Sequence, residues 1–267
     1  RFVHLGTGNY NDSTAKLYTD IGLLTAKEQI AEDATNFFNW LSGYGEQPEW
    51  NALHTSPNSM LEKFLSLIDE EIKYHKKHGN GRIVAKMNSL TEKDIIVKLY
   101  QASRAGVRIE LIVRGVCCLR PQIKGVSENI RVTSVVDRYL EHSRIFYFHH
   151  NGDDLIYCSS ADWMTRNMRK RIEILFPIAD EEQKNYIKDC LALTMADNVK
   201  AREQDDSGNY HYVTKGKQEC ESQILIQLYT NGKLKAKPSF EHPLEQKWTP
   251  VERAEEKITF DPTAAKK

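Results

Sequence analysis

The sequence has no apolar run that approaches the roughly 20 residues needed to span a bilayer, and no membrane-spanning helix is predicted. It also lacks an excess of charge of either sign: Lys and Arg number 37, as do Asp and Glu, so the formal net charge is zero. A polyanionic ligand would therefore have to meet a local basic patch. The length of 267 residues and the 40% hydrophobic content predict one to two domains with a proper core.

Cysteine is scarce and follows no metal-binding pattern. The five cysteines form an odd set without a Cys-x-x-Cys motif, which favours reduced thiols in a cytoplasmic protein. Adjacent Cys117 and Cys118 could bind a metal or form a strained disulfide, but small buried hydrophobic residues are the favoured interpretation. No signal peptide is visible. The sequence starts at Arg1 inside a predicted strand, residues 1–5, which indicates a fragment.

The most informative feature that is present is a repeat. The run Gly6-Thr7-Gly8-Asn9-Tyr10 recurs as Ser159-Ser160-Ala161-Asp162-Trp163, and the two copies align without a gap. The aligned pairs are Asn9 with Asp162, Tyr10 with Trp163, Tyr18 with Arg171, and Asp20 with Glu173. A lone Gly-Thr-Gly-Asn string would be a weak signal, whereas a duplicated spacing is a much stronger one.

A histidine precedes the second copy: His142, in the string Glu141-His142-Ser143-Arg144. The first copy is expected to have a histidine at the corresponding place, which would lie before Arg1. An active site built from both halves would then have one of its two histidines outside this sequence.

Hydrophobic periodicity and turn residues predict alternating strands and helices. A β-α-β unit over residues 82–113 favours parallel strands with short connections, and Asn151-Gly152 predicts a hairpin turn. Capping signals place helix starts at Thr25, at Ser56-Pro57 and at Thr91. The predicted strands are 2–5, 82–87, 107–113, 130–136, 143–149, 154–159 and 171–176. The helices are predicted to end near Gly43 and His78 and to cover 92–105, 180–198 and 217–229.

The repeated loops suit phosphate chemistry. Loops that follow strands present backbone N–H groups to phosphate oxygens. A nearby histidine can attack phosphorus or protonate a leaving oxygen, and a carboxylate such as Asp20 or Glu173 can hold its tautomer. Arginines offset the charge of a transferring phosphoryl group. The arginines near His142 in the sequence are Arg144, Arg166, Arg169 and Arg171, and Arg114 ends a strong strand; they form the expected basic patch.

Five strings carry a resemblance to a known family. They are HLGTGNYN (4–11), TAKLYTD (14–20), LIVRG (111–115), VVDRYLEH (135–142) and SSADWMTRN (159–167). Over about residues 1–230 the sequence resembles the C-terminal half of bacterial polyphosphate kinase of the phosphohistidine family. The two C-terminal domains of that family have the phospholipase D fold.

The resemblance implies reversible transfer of the γ-phosphate of ATP, with Mg²⁺ on the nucleotide, through a phosphohistidine to a polyphosphate chain. ATP or ADP and inorganic polyphosphate are then the partners, with no nucleic acid. The full-length parent is expected to be a cytoplasmic homo-oligomer, and peripheral membrane association is left open. The phosphoacceptor histidine and the magnesium-associated arginines would lie upstream of Arg1, so this chain alone is expected to be inactive.

The resemblance also implies roles for single residues. It implies that His142 and Arg171 are catalytic and that Tyr18, Arg114 and His142 bind the nucleotide. Asn9 and Asp162 of the repeated loops are expected to bind the nucleotide as well, and no metal ligand is expected. His142 is assigned to stabilise or protonate the transferring phosphate and not to form the covalent intermediate.

Each assignment has an ordinary alternative. Tyr18 could pack in the core, Arg114 could be a surface arginine, and Asn9 and Asp162 could form turn hydrogen bonds. The two aromatic residues of the repeat, Tyr10 and Trp163, are expected to pack beneath their loops.

The expected fold is α/β: a phospholipase D-like mixed sheet flanked by helices, with one partial and one complete copy. Residues 1–55 would be the end of the first copy, 56–230 the second copy with a C-terminal helix, and 231–267 a polar, flexible tail. Two other functions stay open. A phospholipase D-type phosphodiesterase would be expected to have His-x-Lys where this chain has His142-Ser143-Arg144, and a polyphosphate-binding module would bind in a salt-sensitive way without turnover.

Overall fold

The computed structural model describes residues 1–214, 216 and 218–234. Most of the predicted tail, from residue 235 onward, lies outside the described residues. The strands are β1 (Val3–Gly6), β2 (Tyr18–Thr19), β3 (Gly22–Thr25), β4 (His54–Ser56), β5 (Arg82–Met87), β6 (Arg108–Val113), β7 (Ile130–Val135), β8 (Leu140–Glu141), β9 (Arg144–Phe148), β10 (Leu155–Ser159), β11 (Glu173–Ile178), β12 (Ala201–Gln204) and β13 (Tyr210–Tyr212). The α-helices are α1 (Glu28–Leu41), α2 (Met60–His78), α3 (Lys93–Arg104), α4 (Thr165–Arg169), α5 (Glu181–Met195) and α6 (Ser222–Thr230).

A nine-stranded mixed sheet forms the centre of the fold, in the order β13-β12-β7-β6-β5-β9-β10-β11-β4. Strands β5, β6 and β7 are parallel, as the predicted β-α-β unit requires. Strand β9 runs antiparallel to β5 and forms the predicted hairpin with β10, whose connection holds Asn151 and Gly152 at positive φ. The mixed α/β architecture expected from the sequence is confirmed.

The sheet is buried on both faces because its strands alternate between two apolar cores. In β9, Phe146 and Phe148 face a core that contains residues of α2 and α3, whereas Ile145 and Tyr147 face a second core that contains residues of α5. The sheet is therefore flanked by helices on both sides, and the side chains that follow its strands project at its ends.

Trp163 lies in the first of these cores and is fully buried. Its ring stacks on Phe146 at a centroid distance of 5.0 Å and meets Phe64 edge-on at 5.3 Å. The predicted packing role of Trp163 is confirmed. The same prediction for Tyr10 is wrong: its side chain is 86% exposed and its hydroxyl contacts His4 Nδ1. The two copies of the repeat therefore differ in how their loops are anchored.

Three helices begin later than their capping signals predict. Thr25 Oγ1 accepts a hydrogen bond from the Lys27 N–H, and α1 begins after it. Ser56 belongs to β4 and donates to the Asn167 carbonyl, so α2 follows Ser59 instead. Helix α3 begins at Lys93, one residue after its predicted start, and its N-cap residue is Glu92.

Beyond residue 200 the chain adds two strands that hydrophobic patterning does not predict. Strand β12 pairs with β7 and β13 pairs with β12, which extends the sheet by two antiparallel strands at its edge. Their sequences are polar because an edge strand needs no continuous apolar face. The guanidinium of Arg202 stacks on the ring of Tyr212, with its central carbon 4.6 Å from the ring centre. The helix predicted over 217–229 is present as α6 but begins later, at Ser222.

A short parallel pair connects the first repeat copy to the second. Tyr18 and Thr19 of β2 pair in register with Leu140 and Glu141 of β8. Next to it, β1 and β3 form an antiparallel pair. The pairing of β2 with β8 places residues near position 20 beside residues near position 142, far apart in sequence.

Glu71 of α2 is fully buried at the end of the sheet where β5 begins. Its carboxylate accepts a 3.0 Å hydrogen bond from the Arg82 N–H and a second one from the His150 N–H. Burial raises the pKa of Glu71 to about 7, although the hydrogen bonds oppose that rise. Glu71 thus ties α2 to the β9–β10 connection.

Stability should respond to the ionisation of Glu71. Because its ordinary pKa is 4.5, the folded protein keeps a proton between that value and about 7 that the unfolded chain releases. The contribution of Glu71 to the free energy of unfolding is complete below the lower value and is lost as the pH rises through the upper one. We expect Glu71→Gln to gain stability relative to wild type as the pH rises from 4.5 to about 7, measured by urea unfolding. Parallel pH profiles of the free energy of unfolding for wild type and Glu71→Gln would contradict this. The control is Glu62→Gln, because Glu62 is exposed on the same helix.

Candidate active site

His142 lies at the break between β8 and β9 and is 9% exposed. Its Nδ1 is 3.0 Å from both carboxylate oxygens of Asp20. The backbone supports this contact, because the His142 N–H donates to the Thr19 carbonyl at 3.2 Å and so continues the β2–β8 pairing. The histidine of the second repeat copy is therefore paired with the carboxylate of the first.

The Gly-Thr-Gly string of the first copy positions that carboxylate. Thr7 Oγ1 donates to Asp20 at 2.8 Å and accepts from the Ile21 N–H at 3.0 Å. Gly8 packs directly on Asp20, and a Cβ atom at position 8 would collide with the carboxylate. The small residue is thus required by the close approach of Asp20. The second copy has Ala161 at this place.

The buried guanidinium of Arg144 contacts both nitrogens of the His142 imidazole, Nδ1 at 3.4 Å and Nε2 more closely. Its Nη1 is 3.0 Å from His142 Nε2 and donates to the Thr7 carbonyl at 2.8 Å. Arginine has no acceptor, so Nε2 must accept and the proton of neutral His142 must reside on Nδ1, from which it donates to Asp20. The contacts therefore select one tautomer.

Arg144 is in turn held by Asp162, the aligned partner of Asn9. Arg144 Nε and Nη2 each donate to one carboxylate oxygen of Asp162 at 3.1 Å. Burial disfavours the charged form of Asp162, but hydrogen bonds from Arg144 and Asn88 outweigh it and lower the pKa of this carboxyl. Asp162 is thus an ionised, buried group that orients Arg144.

Two further predicted residues lie close to this centre. The ring of Tyr18 is tilted by 43° over the imidazole of His142, with centroids 4.6 Å apart. Arg114 directly follows β6, is half-buried, and donates from Nε to Asn88 Oδ1 at 3.0 Å. The structure therefore groups Tyr18, His142 and Asp162, with Arg114 joined to them through Asn88.

Glu173 is the second-copy counterpart of Asp20 and begins β11. Its carboxylate accepts from Asn167 Nδ2 at 2.6 Å and from Ser160 Oγ. Ser160 aligns with Thr7, so each copy holds its carboxylate with a hydroxyl from its own loop. No histidine of the described residues pairs with Glu173.

The other predicted residues make no contact with His142 in the described part of the chain. Arg171 and Asn9 are exposed, and their side chains hydrogen-bond to none of the residues that the structure describes. Arg169 pairs with Glu92 at 2.8 Å and with Asp94. Since Arg144 is also paired, the basic patch inferred from the sequence is smaller than a count of arginines indicates.

Two residues of this site, Lys86 and Asn88, are not among those predicted from the sequence. The Lys86 ammonium is buried and contacts Ser143 Oγ at 2.8 Å and Glu141 at 3.0 Å, and so anchors both neighbours of His142. Beside it is a cavity of about 390 Å³ between β9, α5 and α6, with Tyr18 and Asp20 at its wall. Two signals could have identified them. Lys86 is a charged residue inside an apolar strand, and Asn88 is an amide directly after that strand.

These residues converge because the strands that carry them start or finish at the same end of the sheet. Strands β5, β6 and β10 finish there, and β9 and β11 begin there. The carboxyl ends of the parallel strands lie at this end of the sheet, which is where α/β proteins place ligand sites. Its groups can accept or donate a proton at His142 and bind anionic oxygens at Arg114.

Comparisons with known proteins show the family of this chain. Residues 53–223 match the sequence model of "Polyphosphate kinase C-terminal domain 2", and residues 1–47 match "Polyphosphate kinase C-terminal domain 1". The chain belongs to the polyphosphate kinase family.

The chain is similar to curated proteins named polyphosphate kinase. It is 99% identical to that of Exiguobacterium sibiricum over 267 residues, all of this chain and 37% of the relative. It is 68% identical to that of Halalkalibacterium halodurans over 85% of this chain and 32% of the relative. The chain thus spans about a third of the length of the curated relatives it matches.

The fold also matches solved structures. The crystal structure of polyphosphate kinase from Porphyromonas gingivalis superposes with a TM-score of 0.84 and 42% identity, over 87% of this chain and 36% of that one. A phospholipase D family member from Salmonella typhimurium matches with a TM-score of 0.37 and 15% identity, over 51% of this chain and 88% of that one. The latter likeness is too distant to bear on the chemistry. The family resemblance seen in the sequence is confirmed.

The tautomer of His142 should depend on Asp20. We expect long-range ¹⁵N–¹H correlation spectra to show the neutral imidazole protonated on Nδ1 in wild type. Asp20→Asn should lose that preference, because an amide can donate as well as accept. Asp12→Asn, exposed in the same loop, should leave the spectrum unchanged. An unaltered tautomer in Asp20→Asn would contradict the assigned role of this carboxylate.

Proposed function

We propose that this chain forms half of the active site of an ATP:polyphosphate phosphotransferase, which transfers the γ-phosphate of ATP reversibly through a phosphohistidine to polyphosphate. The observation that carries the proposal is the pairing of His142 with Asp20 of the other repeat copy and with Arg144. Such an imidazole has one nitrogen fixed by a carboxylate and the other directed at an arginine. To donate to a phosphoryl oxygen, His142 must carry a second proton on Nε2, which the Asp20 carboxylate at Nδ1 favours, and Arg144 Nη1 must give up its contact with Nε2.

The internal symmetry supports a second histidine. If His142 pairs with the carboxylate of the first copy, then Glu173 of the second copy is the matching partner for the first copy's histidine. Glu173 is already held by Asn167 and Ser160, which leaves its carboxylate oriented. We assign the covalent phosphohistidine to that upstream residue, and the role of stabilising or protonating the transferring phosphate to His142.

The remaining predicted residues take supporting roles. Arg114 has its Nε engaged and its terminal amino groups left for phosphate oxygens, whereas Arg171 is an exposed arginine that contributes charge at the same edge. Tyr18, beside His142, positions the nucleotide, and Asn9 extends the first-copy loop towards the phosphates. Asp162 acts through Arg144 and not on the ligand itself.

Mg²⁺ would come with the nucleotide. Asp20 is engaged by His142 and Thr7, and Asp162 is engaged by Arg144 and Asn88. No cluster of three metal-ligating side chains occurs among the described residues. When bound, the metal would offset phosphate charge, and the residues of this chain would bind and orient the remaining oxygens.

Partners and location belong to the same proposal. Inorganic polyphosphate and ATP or ADP are its substrates, and the full-length parent is a cytoplasmic homo-oligomer. Across residues 1–214, 216 and 218–234, no helix has the length and apolar character needed to cross a membrane.

The proposal is tested on the full-length polyphosphate kinase of Exiguobacterium sibiricum at the equivalent positions. Replacing His142 with Ala should lower the rate of polyphosphate formation from ATP by about 10²- to 10⁴-fold, the usual effect of removing a general acid or base. His78→Ala, exposed at the end of α2, is the control.

Three other outcomes would contradict this function. Undiminished activity of His142→Ala would remove the residue from the reaction. Cleavage of phosphodiesters without turnover of ATP by the wild type would favour a phosphodiesterase. Salt-sensitive binding of polyphosphate without either activity would favour a binding module.

Gly8→Ala should also impair the enzyme without changing any polar group. The added methyl collides with the Asp20 carboxylate and must displace it from His142. We expect kcat to fall by about 10- to 100-fold in the same assay. Gly45→Ala is a matched control, since a Cβ at that position meets nothing within 4 Å. Equal activity of the two variants would show that the Asp20 contact does not matter for the rate.

A further inference from the structure

Asn88 lies directly after β5 and is 6% exposed, and each of its polar side-chain atoms has a partner. Its Nδ2 donates to Asp162 Oδ1 at 3.1 Å and to the His142 carbonyl at 3.3 Å. Its Oδ1 accepts from Arg114 Nε at 3.0 Å. One carboxamide therefore touches three of the residues predicted for the site, which come from three different strand ends.

The orientation of this carboxamide is determined by its neighbours. Exchanging Oδ1 and Nδ2 would direct an oxygen at the Asp162 carboxylate and an N–H group at Arg114, so that both contacts would become repulsive. The backbone N–H of Asn88 also donates to Asp162, at 2.7 Å. No other standard side chain of this length and shape offers a donor on one side and an acceptor on the other.

Asn88 therefore holds the Arg114 guanidinium at its Nε. The Arg114 backbone is fixed as well, because its N–H donates to the Met87 carbonyl at 3.2 Å and its carbonyl accepts from Ser134 Oγ at 3.1 Å. No carboxylate of the described residues pairs with this guanidinium. Its terminal amino groups are therefore oriented before the nucleotide binds, at the end of the sheet where His142 lies.

We propose that Asn88 is a positioning residue that orients Arg114 for the phosphate groups of ATP. This inference rests on the proposed function, in which Arg114 binds phosphate oxygens. Without the carboxamide, the Arg114 side chain would have to lose rotational freedom when the nucleotide binds, and affinity would fall. Asn88 itself does not touch the nucleotide.

The test is a double-mutant cycle in the full-length Exiguobacterium sibiricum enzyme, with the dissociation constant for ATP measured by calorimetry. Asn88→Ala should weaken ATP binding about tenfold, as expected for loss of a hydrogen bond to a charged group. In the Arg114→Ala background the same change should alter ATP affinity by less than about twofold, because the group it orients is absent. A residue that only stabilises the fold would weaken binding equally in both backgrounds.

Two controls keep the result decisive. Asn129→Ala removes another buried asparagine, which donates to the Ser103 carbonyl at 2.8 Å near the opposite end of the sheet, and it should leave ATP affinity unchanged. Asn88→Ser is a second variant, small and polar, that can still donate near Asp162 but does not reach Arg114. If both Asn88 variants unfold while Asn129→Ala folds, Asn88 is a structural residue and the inference is overturned.

The inference and the proposed function fail in different ways. If the wild-type enzyme neither binds ATP nor forms polyphosphate, the proposed function is wrong. If the wild type binds ATP and Arg114→Ala weakens that binding, but Asn88→Ala does not, only the role of Asn88 is wrong. Equal effects of Asn88→Ala in both backgrounds would likewise overturn the role of Asn88 alone.

Discussion

The Arg144 guanidinium is buried, and its donors are directed at acceptors from three separate parts of the chain. It donates to the Thr7 carbonyl of the first copy, to the imidazole of His142, and with two nitrogens to Asp162. Burying such a charge is costly unless it is paired and hydrogen-bonded, so these contacts have to form together. The same contacts determine the tautomer of His142 and join the two repeat copies at one point.

The sheet makes this arrangement possible. Parallel β5 and β6, with antiparallel β9 between β5 and β10, bring strand ends from distant parts of the sequence to one edge. Lys86 and Asn88 at the end of β5 then hold the backbone at His142 and Ser143, because they donate to the Ser143 and His142 carbonyls, respectively. The aromatic cluster of Trp163, Phe146 and Phe64 fills the adjoining core and leaves the loop of the second copy little freedom to move.

Much of the fold could be predicted from local patterns. The apolar strands β5, β6, β9 and β10 and the glycine-containing hairpin between the last two lie where the sequence indicates them. Helix starts were less accurate, since Thr25 and Ser56 form other hydrogen bonds in the folded chain. The polar edge strands β12 and β13 had no apolar alternation to reveal them. Tyr10, aligned with a buried tryptophan, is exposed, and its hydroxyl contacts His4 Nδ1.

For the site, the sequence by itself determined the residue types and the repeat that relates them: His142, the carboxylates at positions 20 and 173, and the arginines. It also determined the family, because long motif strings are specific. Which groups pair was decided only by the tertiary structure. Asp20 meets His142 through β2–β8 pairing across 122 positions, and Arg144 is engaged by Asp162 and not left free. Such pairings depend on strand order and burial, neither of which is encoded in local spacing.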